Sequence, residues 1–167
     1  MQAPAVPADE GERLGELRSL GLLDTPPDPR FDRITRIASR LFDVPAALVT
    51  LVDADRQWFK SACGVSASQT GRDVSFCGHA ILQDEPFIVE DTLFDPRFFD
   101  NPLVLGPPHV RFYAGQPLRG PAGHKVGTLC IVSNQARSML DDDVQMLKDL
   151  AGWVEDEILL WSRSAAR

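Results

Sequence analysis

The spacing of apolar residues changes period several times along this chain, and each change marks an element. Phe31, Ile34, Ala38 and Leu41 recur at steps of three, four and three, which is one face of a helix over about residues 29–42. Asp28 before Pro29 supplies a cap and a helix-compatible first residue. A narrower stripe, Leu14, Leu17 and Leu20, predicts a shorter helix over 9–20, capped by Asp9 and stopped at Gly21. The connector between them, residues 24–29, holds three prolines and is expected to be rigid. Residues 46–52 are almost continuously apolar, so they predict a central strand covered on both faces. After the turn at Asp53-Ala54-Asp55, residues 56–63 return as a hairpin strand. Gln57, Lys60 and Ser61 give that strand a wetter face. Residues 64–73 read as a loop, 76–82 as a short helix capped by Ser75, and 86–90 as a short strand. The stretch 92–108 is long and irregular, broken by Asp95-Pro96, Asn101-Pro102 and Gly106-Pro107-Pro108; long loops inside a domain often serve function. Two more strands, 110–118 and 126–133, are joined by the turn Gly120-Pro121-Ala122-Gly123.

The last helix, over 141–164, carries two apolar stripes. Leu140, Val144, Leu147, Ala151, Val154, Ile158 and Trp161 form a heptad seam, and Met146, Leu150, Trp153 and Leu160 lie beside it. Two stripes exceed what one sheet contact requires, so a homodimer through Leu140, Val144, Leu147, Val154, Ile158 and Trp161 is expected. The alternative is that both stripes pack inside one domain. Strands joined by hairpins, with helices at the chain ends, predict an α+β fold. Its parts are a central antiparallel sheet of five or six strands, terminal helices on one face, and the short helix and long loop on the other. Residues 1–8, rich in Pro and Ala, are expected to be a flexible tail, and residues 9–164 a single domain.

The 167 residues suffice for one full core, and 44% hydrophobic with 25% charged residues is ordinary for a folded protein. Seventeen basic against 24 acidic residues leave a net charge of −7 and no basic cluster. This argues against nucleic acid and against anionic membrane as partners. No apolar run approaches the ~20 residues of a membrane span, and no secretory signal opens the chain, so a cytoplasmic location is expected. Three widely spaced cysteines, Cys63, Cys77 and Cys130, do not form a disulfide framework.

Several motifs in order resemble the GAF domain. Residues 53–61, Asp-Ala-Asp-Arg-Gln-Trp-Phe-Lys-Ser, resemble the hairpin of one bacterial GAF subgroup. Residues 72–81, Arg-Asp-Val-Ser-Phe-Cys-Gly-His-Ala-Ile, resemble its middle helix. Tyr113-Ala114-Gly115 through Leu118, with Gly127-Thr128-Leu129-Cys130, resemble its last hairpin. Coverage runs from about Leu14 to Leu160. The resemblance implies a pocket beneath the middle helix that binds a small molecule or cofactor, or else a purely dimerising module. It also implies a place beside histidine kinase or diguanylate cyclase domains. No such output segment follows Arg167, so the chain is either a stand-alone sensor or a piece of something longer. Ser133 stands where the subgroup often has Asp, and Gly71 where it has Pro or Ser. The cysteines do not reproduce the pattern of free methionine sulfoxide reductases, and the bilin-attaching Cys-His pair of phytochromes is absent. Neither activity is carried over, and the chain is expected not to be an enzyme.

The candidate ligand-binding residues are Cys77, His79, Arg97, His109, Arg111, Tyr113 and Cys130. Cys77 falls in the first turn of a capped helix, where the helix end favours a thiolate; its alternative role is a small buried hydrophobe. His109, Arg111 and Tyr113 share a strand face by period two. Arg111 could grip a carboxylate or phosphate of an anionic ligand, or be tied to Asp91 or Asp100 to lock the long loop. Arg97 and Arg72 pose the same choice. A metal site built from Cys77, His79, His109 and Cys130 lacks any close ligand pair and is set aside. Trp58 and Phe59 read as packing residues, Phe94, Phe98 and Phe99 as anchors of the loop. No Ser-His-Asp set and no phosphate-binding glycine loop is present. The leading expectation is a small-molecule sensor acting through dimer helices, with a signalling protein as a further partner. The alternatives are a scaffold without ligand, and a thiol redox sensor or metal-dependent activity.

Overall fold

The apolar run at 46–52 forms β1 (Ala46–Val52), buried along its whole length because both faces of the sheet are covered. The computed structural model describes residues 1–165. β2 (Arg56–Cys63) pairs antiparallel with β1, with a shift of register between Val49 and Thr50. β3 (Gln69–Gly71), β4 (Phe87–Val89), β5 (Phe112–Arg119) and β6 (Lys125–Ser133) complete six strands in the order β3-β2-β1-β6-β5-β4, every pair antiparallel. β3 lies inside the expected loop 64–73. At three residues, none of them buried, it has no apolar alternation to betray it.

On one face lie α1 (Glu10–Ser19), α2 (Pro29–Leu41) and α5 (Asp141–Ala165). Leu17, Phe31, Ile34, Ala38, Leu147 and Val154 meet Ala47, Val49 and Leu51 of β1 in one cluster. Asp28 caps α2 by accepting from the Arg30 amide. Asp9 makes no side-chain cap bond at α1, because its backbone is not in the extended form that aims a capping side chain at the helix. Leu41, expected on the buried face of α2, is half exposed, and Phe42 at the next position fills the core instead.

Part of the heptad seam of α5 turns inward. Leu147, Ala151, Val154 and Ile158 are buried under the protein's own sheet and against α2, and the Trp161 indole donates to the Leu20 carbonyl at 2.9 Å. A second copy has no access to those four, while Val144 and Trp161 of the same seam are only partly buried. Leu140, just before α5, and Leu160 within it are exposed.

On the other face sit α3 (Phe76–Ala80), α4 (Pro102–Leu105) and the loop that carries it. Ser75 caps α3 through the Gly78 amide, and Asn101 before Pro102 caps α4 through the Leu103 amide. β5 begins at Phe112, later than expected, because Val110 bonds instead to Leu103 and to the Thr92 hydroxyl of the loop. Residues 1–8, expected as a flexible tail, have partners here: the Gln2 amide donates to the Arg97 carbonyl at 3.1 Å and His79 bonds the Gln2 carbonyl at 3.0 Å. Among the described residues no helix is long and apolar enough to cross a membrane.

Candidate functional site

The strand alternation that sends Val49 and Leu51 to the helices sends Leu48 and Thr50 to the opposite face. With Tyr113 of β5 and Cys130 of β6 they floor a cavity of about 320 Å³. Phe76 and Cys77 of α3 form one wall, and Leu103, Pro107, Pro108 and Val110 of the long loop form another. Gln57, Phe59 and Thr70 close the side toward β3. The lining is mostly apolar, with a few converging polar groups, as small-molecule sites generally are.

Those polar groups meet at one sulfur. The Tyr113 hydroxyl donates to Cys77 Sγ at 3.1 Å and the Thr128 hydroxyl donates at 3.2 Å. Thr50 and Thr128, cross-strand partners in β1 and β6, are 3.0 Å apart at their oxygens, so Thr50 completes a relay of hydroxyls. The Cys130 sulfur lies 4.0 Å from that of Cys77. Burial pushes the Cys77 thiol up, but bonds from Cys130, Thr128, Thr50 and Tyr113 more than offset it and bring it to about 7. Cys130 moves the opposite way, raised by its bond with Cys77 and by burial. The helix end contributes less than the sequence suggested. α3 is five residues long, and the sulfur is held by hydroxyls from the sheet.

Cys77, Tyr113 and Cys130 are therefore brought together; the other four candidates are not in the lining. His79 projects from α3 toward Phe98 and the Gln2 carbonyl. Burial, and secondarily Arg97, hold its imidazole below the usual range, while the Gln2 bond works against them. Arg97 forms a two-pronged pair with Asp95 and lies over the Phe87 and Phe98 rings. Arg111 does the same with Asp91, at 3.1 and 2.9 Å, which fastens the long loop to β5. His109 is exposed, with a positive φ of 58°. Arg72 pairs with Glu10 at 2.7 Å. Among the described residues no Arg, Lys or His lines the cavity, and no three His, Cys, Asp or Glu side chains gather as a metal site requires. Of the aromatic residues, Phe98 anchors the loop in the core, Phe94 and Phe99 are exposed, Trp58 joins the helix-side core and Phe59 lines the cavity.

Thr50 and Thr128 were missed, yet each leaves a trace in the sequence. Each is a polar residue inside an otherwise apolar strand, AALVTLV and KVGTLCIVS, and a buried hydroxyl needs a partner. Two other hollows, of about 350 and 390 Å³, carry more charge. Much of that charge is used internally: Arg13 pairs with Glu10, Arg119 with Asp84, His124 with Glu16, and Lys60 donates to Thr25 and Pro26.

The GAF domain family model matches residues 26–158. A cyclic di-GMP phosphodiesterase of Pseudomonas aeruginosa is 42% identical over 152 residues, 90% of this chain but 26% of that protein, so the chain spans about a quarter of it. Among solved structures, a free methionine-R-sulfoxide reductase of Neisseria meningitidis bound to its substrate superposes with a TM-score of 0.65 at 19% identity, covering 99% of both chains. A putative GAF sensor protein of Burkholderia vietnamiensis gives 0.61 at 15% identity, covering 93% of both. The reductase corrects one expectation. Enzymatic activity was excluded from the sequence, but enzymes share this fold over nearly the whole chain, so the fold gives no ground for that exclusion.

Proposed function

The chain belongs to the GAF domain family, and from that premise we propose that it is the regulatory input domain of a bacterial signalling protein, holding a small molecule in the cavity beneath α3. The observation that carries the reading is the cavity itself, about 320 Å³ with an apolar lining and the polar groups of Gln57, Thr70, Tyr113 and Ser133. The anionic ligand expected from Arg111 is replaced by a neutral, largely apolar one, because Arg111 is committed to Asp91 and no cation lines the cavity among the described residues. The kinship with the phosphodiesterase supports an output of the cyclic-dinucleotide kind in the protein that carries this domain. Signal passage through paired terminal helices belongs to the same reading. With the inner seam buried, pairing uses the outward sides of α2 and α5, at Leu41 and Leu160.

Native mass spectrometry of the chain purified from its own host under reducing conditions tests the ligand. The expected result is a retained neutral mass that is lost in Leu48→Trp, which fills the cavity. Retention of the same mass by Leu48→Trp overturns the assignment.

A further inference from the structure

We propose that Cys77 and Cys130 are a dithiol oxidised to a disulfide by small hydroperoxides that enter the cavity. The two sulfurs are 4.0 Å apart, and both residues, each 2% exposed, line the cavity. Closing the bond requires about 2 Å of approach, which α3, a five-residue helix, can supply by a small shift toward β6.

The surroundings distinguish the two sulfurs. A cysteine serving only as a buried hydrophobe has no need of hydroxyl donors, since burying a hydroxyl is itself costly. Here Tyr113 and Thr128 both aim at Cys77, and Thr50 supports Thr128. These donors stabilise the thiolate, which is the nucleophile. Cys130 keeps its proton and serves as the resolving thiol.

The reaction balances in two steps. The Cys77 thiolate attacks a peroxide oxygen; an S–O bond forms, the O–O bond breaks, and the departing alkoxide or hydroxide takes up the proton that Cys77 released on ionising and leaves as alcohol or water. Cys77 is then a sulfenic acid. The Cys130 sulfur attacks Cys77 Sγ; the S–S bond forms, the S–O bond breaks, and the hydroxide leaves as water with the Cys130 proton. Two thiols lose two electrons and one hydroperoxide gains them. The inference uses the same cavity as the proposed function but does not depend on a bound ligand.

The test uses the full chain with Cys63→Ser, so that the remaining thiols are these two. Hydrogen peroxide is added at neutral pH, and peptide mapping by mass spectrometry follows. The expected product is a Cys77–Cys130 linked peptide, two hydrogens lighter, reversed by dithiothreitol. In Cys63→Ser with Cys130→Ser, Cys77 is expected to accumulate as a dimedone-trapped sulfenic acid. Two free thiols after a peroxide dose that oxidises free cysteine overturn the proposal. So does oxidation confined to Cys130. The Cys63→Ser chain decides the matter even where the further variant folds poorly. Because the ligand measurement is made under reduction, either reading can fail without the other.

Discussion

Gly115 shows how one missing β-carbon sets the chemistry of the site. A β-carbon at that position would lie 2.1 Å from the Tyr113 hydroxyl oxygen. The phenol ring lies along β5 over the glycine and ends at Cys77 Sγ. Gly115→Ala is expected to push the ring away, costing about 1–3 kcal/mol of stability through overpacking. Tyr113→Phe keeps the ring and removes only the bond to sulfur. A hydrogen bond to a charged group is worth roughly 1.5 kcal/mol, or about one pH unit, so Tyr113→Phe should raise the midpoint of Cys77 alkylation by about one pH unit. Alkylation rates of Cys63→Ser with Cys130→Ser, measured against pH with and without Tyr113→Phe, check this; an unmoved midpoint removes Tyr113 from the account. In the sequence, Cys77, Tyr113 and Cys130 were legible as candidates because their side chains carry chemistry. Their meeting at one sulfur was not, since it depends on strand register and on the room that Gly115 leaves for the Tyr113 ring. Arg111 was legible only as a choice, and its nearness to Asp91 settles it as a fastener of the loop.

Elements were read best where burial imposes a strict period. α2 and α5 followed their spacing of three and four, and β1 its continuous apolar run. Elements held by a few local bonds were read worst. Asn101-Pro102 reads as a turn in the sequence, although a capping Asn before Pro also starts a helix, and α4 is the result. α1 has only a thin apolar stripe, and much of its attachment is ionic. Glu10 pairs with Arg13 and with Arg72, and Arg13 reaches on to the Val52 carbonyl while only 1% exposed. The bond from Arg72, and then that from Arg13, hold the Glu10 carboxyl at about 2 against the opposing effect of burial. A carboxylate held down in the folded state stabilises it above the unfolded value, about 4.5, and that stability is lost as pH falls from about 4.5 toward 2. Glu10→Gln should cost about 2 kcal/mol at neutral pH, because Arg13 and Arg72 lose their counter-charge. It should also flatten the acid limb of the stability curve. Urea unfolding at pH 7, 4.5 and 3 measures both, and equal losses at pH 7 and pH 3 refute this account of α1.

At the scale of the whole molecule, the six-stranded sheet separates the cavity from the terminal helices, and β2 serves both sides. Phe59 faces the cavity, while Lys60 beside it donates to Thr25 and Pro26 and lies 5.0 Å from the Trp161 ring of α5. Displacement of β2 at Phe59 would therefore be felt at the end of α5 one residue away. The same layering decides which surface a second copy can use. The heptad pattern of α5 was legible, but its destination was not, because a spacing of three and four fits a sheet as well as it fits a partner helix. Leu147 is fully buried, whereas Leu160 is 50% exposed and Leu41 49%. Leu147→Ala is expected to lower unfolding stability by about 3 kcal/mol through the cavity it leaves, independently of protein concentration. Leu160→Lys combined with Leu41→Lys should change stability by less than about 1 kcal/mol, as exposed substitutions generally do. If the outward sides of α2 and α5 pair, the same double substitution converts a dimer to a monomer in sedimentation at micromolar concentration. A wild-type chain that sediments as a monomer, or a double variant that remains dimeric, takes the pairing surface off these helices.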